Sequence, residues 1–212
     1  MCDPENNRLV DIKTASLRFL KSYNPKNIIP VPIEEIAESS LGLRIILISG
    51  LIKDYGVNAF ITNTFDRIVV DETMYSKQPQ RIRFTIAEEI GHLILHKDWY
   101  LKNGPPSDKS YLDWQENLDV KRYEYIERQA KTFASMVLIP ESELDIRWNK
   151  YCSIYKISSP CSFFDLSDTF PEFATEFDVT PESMLVRLNF TKKVTLPDNF
   201  WEKKNSLHKS NK

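Results

Sequence analysis

Residues 82–96 read Ile-Arg-Phe-Thr-Ile-Ala-Glu-Glu-Ile-Gly-His-Leu-Ile-Leu-His. They fall one residue short of H-E-x-x-H, the helical pattern in which two histidines hold a zinc ion and the glutamate after the first acts as base. Glu89 and His92 occupy the base and second-ligand positions, while Glu88 stands where the first histidine would be. Residues four apart lie side by side on a helix, with Cβ atoms about 5–6 Å apart. Glu88 and His92 can therefore converge on one ion. Glu89 is turned about 100° from Glu88, so it can bond a water on that ion and take its proton. A catalytic zinc needs a third protein ligand and an open position. Glu127 is the candidate: it adjoins Ile126 and precedes Ala130 and Ala134, at the edge of an apolar helical stripe where a carboxylate needs a partner. The plainer reading of Glu127 is an ion pair with Arg81 or Arg83.

These residues need elements to hold them. Pro79 marks the start of a helix to about Lys97, with Gly91 inside it at a cost of about 1 kcal/mol relative to alanine. Something must come close to the backbone there, and a crossing helix is the expected cause. A second long helix, about Leu118 to Leu138, carries Ile126, Ala130, Phe133, Ala134 and Val137 as a buried stripe and stops at Pro140. Upstream, residues 8–22 and Pro32 to about Ser40 read as helices. Leu43–Ile48 reads as a strand, and Val57–Thr62 with Arg67–Asp71 as a hairpin, giving a small, mostly antiparallel sheet. Residues 98–117 read as a loop studded with Trp99, Tyr100, Tyr111 and Trp114, a satellite cluster or the rim of a cleft. Residues 146–168 receive no assignment. Pro171–Phe177 and Pro181–Phe190 read as short helices, with Thr180 capping the second. The division expected is an N-terminal helical segment (1–30), a main domain (31–192) and a disordered tail (193–212).

The 212 residues carry a formal net charge of −2 and 27% charged side chains, so nothing draws the chain as a whole to nucleic acid or anionic membrane. Cys2, Cys152 and Cys161 form no C-x-x-C pair and read as reduced thiols. The N-terminus has no signal-peptide pattern and no apolar run is long enough to span a membrane, so a cytoplasmic protein is expected.

The stretch Phe84–His96 resembles the F-T-x-A-H-E-x-G-H-L-x-L-H segment of the ImmA/IrrE metallopeptidase family. Ile126–Pro140 resembles that family's E-x-x-A-N-x-F-A-x-x-L-L-M-P segment. Pro32–Ala37 is similar to its upstream P-v-d-i-e-e-i-A stretch, and Phe177–Thr180 with Arg187-Leu188 to its F-x-V-S…R-L ending. The resemblance spans roughly residues 30–190. It implies an α+β, zincin-like domain with its sheet packed on the motif helix. It also implies a zinc site at His92 and Glu127, with Glu89 as base. The work it implies is cleavage of helix-turn-helix repressors, hence transcription regulation of mobile-element or stress genes. Two positions depart from the pattern. Glu88 replaces the first histidine, and Lys131 replaces the asparagine of A-N-x-F-A, a change expected to touch only local packing. A fused repressor-type DNA-binding domain, present in some relatives, is not recognisable.

Three readings of Glu88 follow. It ligates, giving a Glu88, His92 and Glu127 site for zinc, or manganese or iron, whose two carboxylates weaken the ion as a Lewis acid. Or no metal binds, the carboxyls crowd His92, and the protein is a pseudoprotease that binds a partner without cutting it. Or His96 replaces the missing ligand; a supporting role behind the ligands suits His96 better. The sequence-level reading is a metal-dependent endopeptidase of degenerate E-E-x-x-H type, with the pseudoprotease as alternative. Residues 173–188 also resemble a helix-turn-helix, but the second helix carries only Arg187 against Glu182, so DNA binding is a minor alternative. The hairpin could instead offer an edge strand to an extended peptide.

Overall fold

The computed structural model describes residues 8–200, apart from 106, 108, 109 and 118 and the side chain of Leu112. The expectations for Cys2 and for the tail from Trp201 lie outside the described residues. Helix α1 (Leu9–Tyr23) is followed by α2 (Ile33–Glu35), which runs on as a π-helical turn, Ile36–Ser40. Then come β1 (Arg44–Ile48), α3 (Leu51–Tyr55), β2 (Ala59–Ile61), β3 (Arg67–Asp71) and α4 (Glu72–Lys77). The motif helix is α5 (Pro79–Leu95). It is followed by α6 (Lys97–Asn103), α7 (Tyr111–Glu116), α8 (Val120–Leu138) and α9 (Glu141–Tyr155). The chain closes with β4 (Cys161–Ser162), α10 (Phe170–Thr175), α11 (Pro181–Phe190) and β5 (Val194–Thr195).

The architecture is α+β. The three-stranded sheet is mixed rather than mostly antiparallel: β2 pairs antiparallel with β3 as a hairpin, and β1 runs parallel to β3. The centre goes to the strand that tolerates burial along its length. Ile68, Val69 and Val70 of β3 are buried, whereas β1 leaves Arg44 and Leu47 exposed at the edge. Helix α3 separates β1 from β2, so the chain re-enters the sheet on the far side and β3 fills the gap.

Beneath the sheet, α5 crosses α8. Ile82, Ile86, Ala87 and Ile90 of α5 and Ile126, Ala130, Phe133, Ala134 and Val137 of α8 are buried in one core. The crossing explains Gly91. A Cβ built there would lie 3.1 Å from the Ala130 carbonyl oxygen and 3.2 Å from Ala130 Cα. Helix α1 joins the same core, with Phe19 edge-on to Phe133 at 5.5 Å between ring centroids.

Three sequence expectations are corrected. Residues 98–117 contain α6 and α7, helices too short to be stable on propensity alone. Packing sustains them: Tyr111 stacks on Phe60 at 4.3 Å beside Leu51 and Val69, a satellite cluster. The unassigned stretch 146–168 holds most of α9, anchored by the fully buried Trp148, whose indole N–H donates to Ser159 Oγ at 2.9 Å. Residues 193–200, assigned to the tail, include β5, which pairs parallel with β4 and buries Val194.

Helices α10 and α11 are a packing unit, with Phe173, Phe177, Met184 and Leu188 buried. Thr180 caps α11 by accepting from Ser183 N at 3.1 Å. Cys152 and Cys161 are free and buried. No described helix is long and apolar enough to cross a membrane.

Candidate functional site

Glu88, His92 and His96 recur every four residues and form one ridge of α5 with its capping residue. Glu127 and Lys131, also four apart, form the facing ridge of α8. Because Gly91 lets the backbones approach, the two ridges meet. His92 Nε2 lies 3.0 Å from Glu127 Oε1. The Lys131 ammonium reaches both carboxyls, 3.5 Å from Glu88 Oε1 and 3.6 Å from Glu127 Oε2. Glu88, Glu89, His92 and His96 are all buried.

The fold thus brings Glu88, His92 and Glu127 together. The arginine partners expected for Glu127 are elsewhere: Arg81 bonds Gln78, while Arg83 donates to the Val31 carbonyl and pairs with Asp178. Lys131, expected to touch only local packing, stands in the site. Its one sequence signal was its place one turn after Glu127 on the same helix face.

Glu89 turns away from this cluster. Its Oε2 accepts from the Ile61 amide at 2.8 Å, on the edge of β2 that faces away from β3. The next outward amide, Asn63 N, donates to the Pro105 carbonyl at 2.9 Å. The hairpin edge expected to receive a peptide therefore has both these amides already engaged.

His96 stands behind His92. Its Nε2 faces Gln129 Oε1 at 2.7 Å and its Nδ1 faces His92 Nδ1 at 3.2 Å. With a carbonyl oxygen on its Nε2 side, His96 donates there and accepts from His92 Nδ1. That orients the His92 ring with Nε2 toward Glu127. Gln129 had no signal in the sequence. Tyr100, Tyr111 and Tyr123 line the far side: the charges of Glu89 and Glu127 add to burial in holding these phenols protonated.

The electrostatics follow from burial. Burial and the neighbouring Glu127 push Glu88 up to about 8, against the pull of Lys131. Burial also works against ionising Glu127, but the His92 hydrogen bond and the charges of His92 and Lys131 outweigh it and hold Glu127 down to about 2. Burial, with Glu127 and Glu88 adding to it, drives Glu89 well above the usual carboxylate range. Burial and the adjacent His92 hold His96 down to about 3 despite its bond to Gln129.

A divalent ion between Glu88, His92 and Glu127 would meet the like charge of the Lys131 ammonium lying against the same two carboxyls. The residues as they stand do not fit it. Among the described residues, no three of His, Cys, Asp and Glu are arranged to hold a metal ion.

A cleft of about 1450 Å³ opens from this cluster between α5, α8 and α11. Glu88, Glu127 and Lys131 line it, together with Phe163, Phe164 and Phe190. Phe164 is 78% exposed and Phe190 47% exposed.

The IrrE N-terminal-like domain model of the Peptidase M78 family matches residues 41–189, a span that holds both α5 and α8. The chain belongs to that family. No protein with a curated description matches this M78 chain. Among solved structures, a Mycobacterium tuberculosis transcriptional regulator matches with a TM-score of 0.53 and 15% identity, over 87% of this chain and 48% of that one. At that identity the likeness is one of fold. The M78 chain spans about half the length of that regulator.

Proposed function

We propose that this M78 domain binds a segment of a partner protein in the cleft between α5, α8 and α11 and does not cut it. The observation that carries the reading is the Lys131 ammonium lying against both Glu88 and Glu127. The exposed aromatic lining of the cleft at Phe164 and Phe190 supports it, since it suits an aromatic or aliphatic anchor on the partner. The partner we propose is a protein of transcription control, the setting named for the solved regulator of similar fold. A helix-turn-helix repressor is the form that the family resemblance suggests.

Metal-dependent peptide hydrolysis is the second reading. One observation favours it: His96 orients His92 so that Nε2 points at Glu127, as a ligand held by a neighbouring side chain would.

The test is a peptide-array binding screen with the full chain, followed by intact-mass analysis of each retained peptide with zinc or with chelator. Retained peptides of unchanged mass, with binding weakened by Phe164→Ser and Phe190→Ser, are expected. Fragments that appear with zinc and vanish with chelator refute the non-cutting reading.

A further inference from the structure

The two positions that depart from the family pattern, 88 and 131, lie on different helices and touch each other. Lys131 belongs to α8 and Glu88 to α5, and their charged groups meet where the helices cross. The Lys131 side chain is 55% exposed, so its aliphatic stem runs along the surface while the ammonium turns inward to two carboxyls. An ammonium is a compact point charge with three donors and can serve two carboxyls at once. A histidine at 88 would leave that ammonium with Glu127 alone. An asparagine at 131 would leave the buried Glu88 carboxyl with no cation beside it.

We propose that Lys131 is the built-in cation of this site: it occupies the point where Glu88 and Glu127 converge and keeps a divalent metal out. This deepens the binding reading and rests on it. Glu88 then faces the cation that stands in place of a metal, and is not itself a metal ligand. The site stays assembled without any ion supplied from solution.

The experiment counts zinc per chain by elemental mass spectrometry after dialysis against a small excess of zinc. It compares the full wild-type chain with Lys131→Asn, Glu88→His, the two combined, and the combined variant carrying His92→Ala. Melting temperature with and without zinc is read in parallel, since an ion that binds only the folded chain raises it. The wild type is expected to hold no stoichiometric zinc and to melt at the same temperature with zinc or chelator. Lys131→Asn is expected to gain zinc, the combined variant to hold one ion per chain and melt higher with it, and His92→Ala to abolish both effects. Wild-type protein that holds one zinc per chain, lost on His92→Ala, overturns the proposal. So does a folded Lys131→Asn or combined variant that takes up none. If the combined variant does not fold, the wild type and Lys131→Asn still decide it. Peptide fragments from a wild type without zinc would refute the binding reading and leave the Lys131 assignment standing, so the two failures are distinct.

Discussion

Gly91→Ala tests the close helix crossing on which the whole site depends. A Cβ at 91 would meet the Ala130 carbonyl oxygen at 3.1 Å, Ala130 Cα at 3.2 Å and Phe133 Cδ1 at 3.2 Å. Two of these three are backbone atoms of α8, which cannot swing aside as a flexible side chain would. Relief requires the helices to part by a few tenths of an ångström. Overpacking of this kind costs about 1–3 kcal/mol, and alanine returns about 1 kcal/mol in helix propensity. The net loss expected is about 1 kcal/mol, or a fall in melting temperature of about 2–4 °C for a domain of this size. Gly91→Val adds bulk at the same contacts without alanine's propensity gain, so it should cost more. The assay is urea unfolding followed by far-UV circular dichroism. A lower midpoint at unchanged slope reports lost stability. If Gly91→Ala is as stable as the wild type or more so, α5 and α8 do not approach this closely. The meeting of Glu88 with Lys131 and of His92 with Glu127 then loses its basis.

Two further predictions concern pH. The His96 ring is held down to about 3 in the fold, against an ordinary value of 6.5. Between those values the unfolded chain binds a proton that the folded chain refuses, so the contribution of His96 to stability should fall as pH drops below about 6.5, by about 1.4 kcal/mol per pH unit. The stability of the wild type relative to His96→Gln should therefore fall in urea titrations from pH 6.5 to 4.5, and a constant difference counts against the buried neutral ring. Glu89 is raised well above its ordinary 4.5, which gives the opposite sign. The folded chain keeps a proton that the unfolded chain releases, so the contribution of Glu89 to stability should fall as pH rises from about 4.5, by up to about 1.4 kcal/mol per unit. Glu89→Gln should remove this decline and stabilise the protein at pH 8 while leaving it little changed at pH 4.5. Destabilisation at pH 8 would mean that Glu89 is ionised and held by a cation.

The sequence by itself determined the pieces whose signals are local. The four-residue spacing of Glu88, His92 and His96 placed them on one helix face, because a helix returns to the same side every 3.6 residues. The glycine inside that helix announced a close neighbour, and the stripe around Glu127 announced which helix carries the facing carboxyl. The cap at Thr180 and the hairpin across residues 63–66 were legible for the same reason, since each depends on residues only two to four apart. Tertiary structure alone decided what those groups touch. Nothing near Glu89 in the chain says that its carboxyl will bond Ile61, because that contact depends on where a strand lies over a helix. The parallel course of β1 beside β3 and the pairing of β5 with β4 join segments whose order in the sheet comes from burial, not from any adjacent turn. The meeting of Glu88 with Lys131 is the decisive case. Each is an ordinary charged residue on its own helix. Only the crossing at Gly91 sets the ammonium against the buried Glu88 carboxyl as well as Glu127, where a lysine that read as local packing becomes the cation of the site.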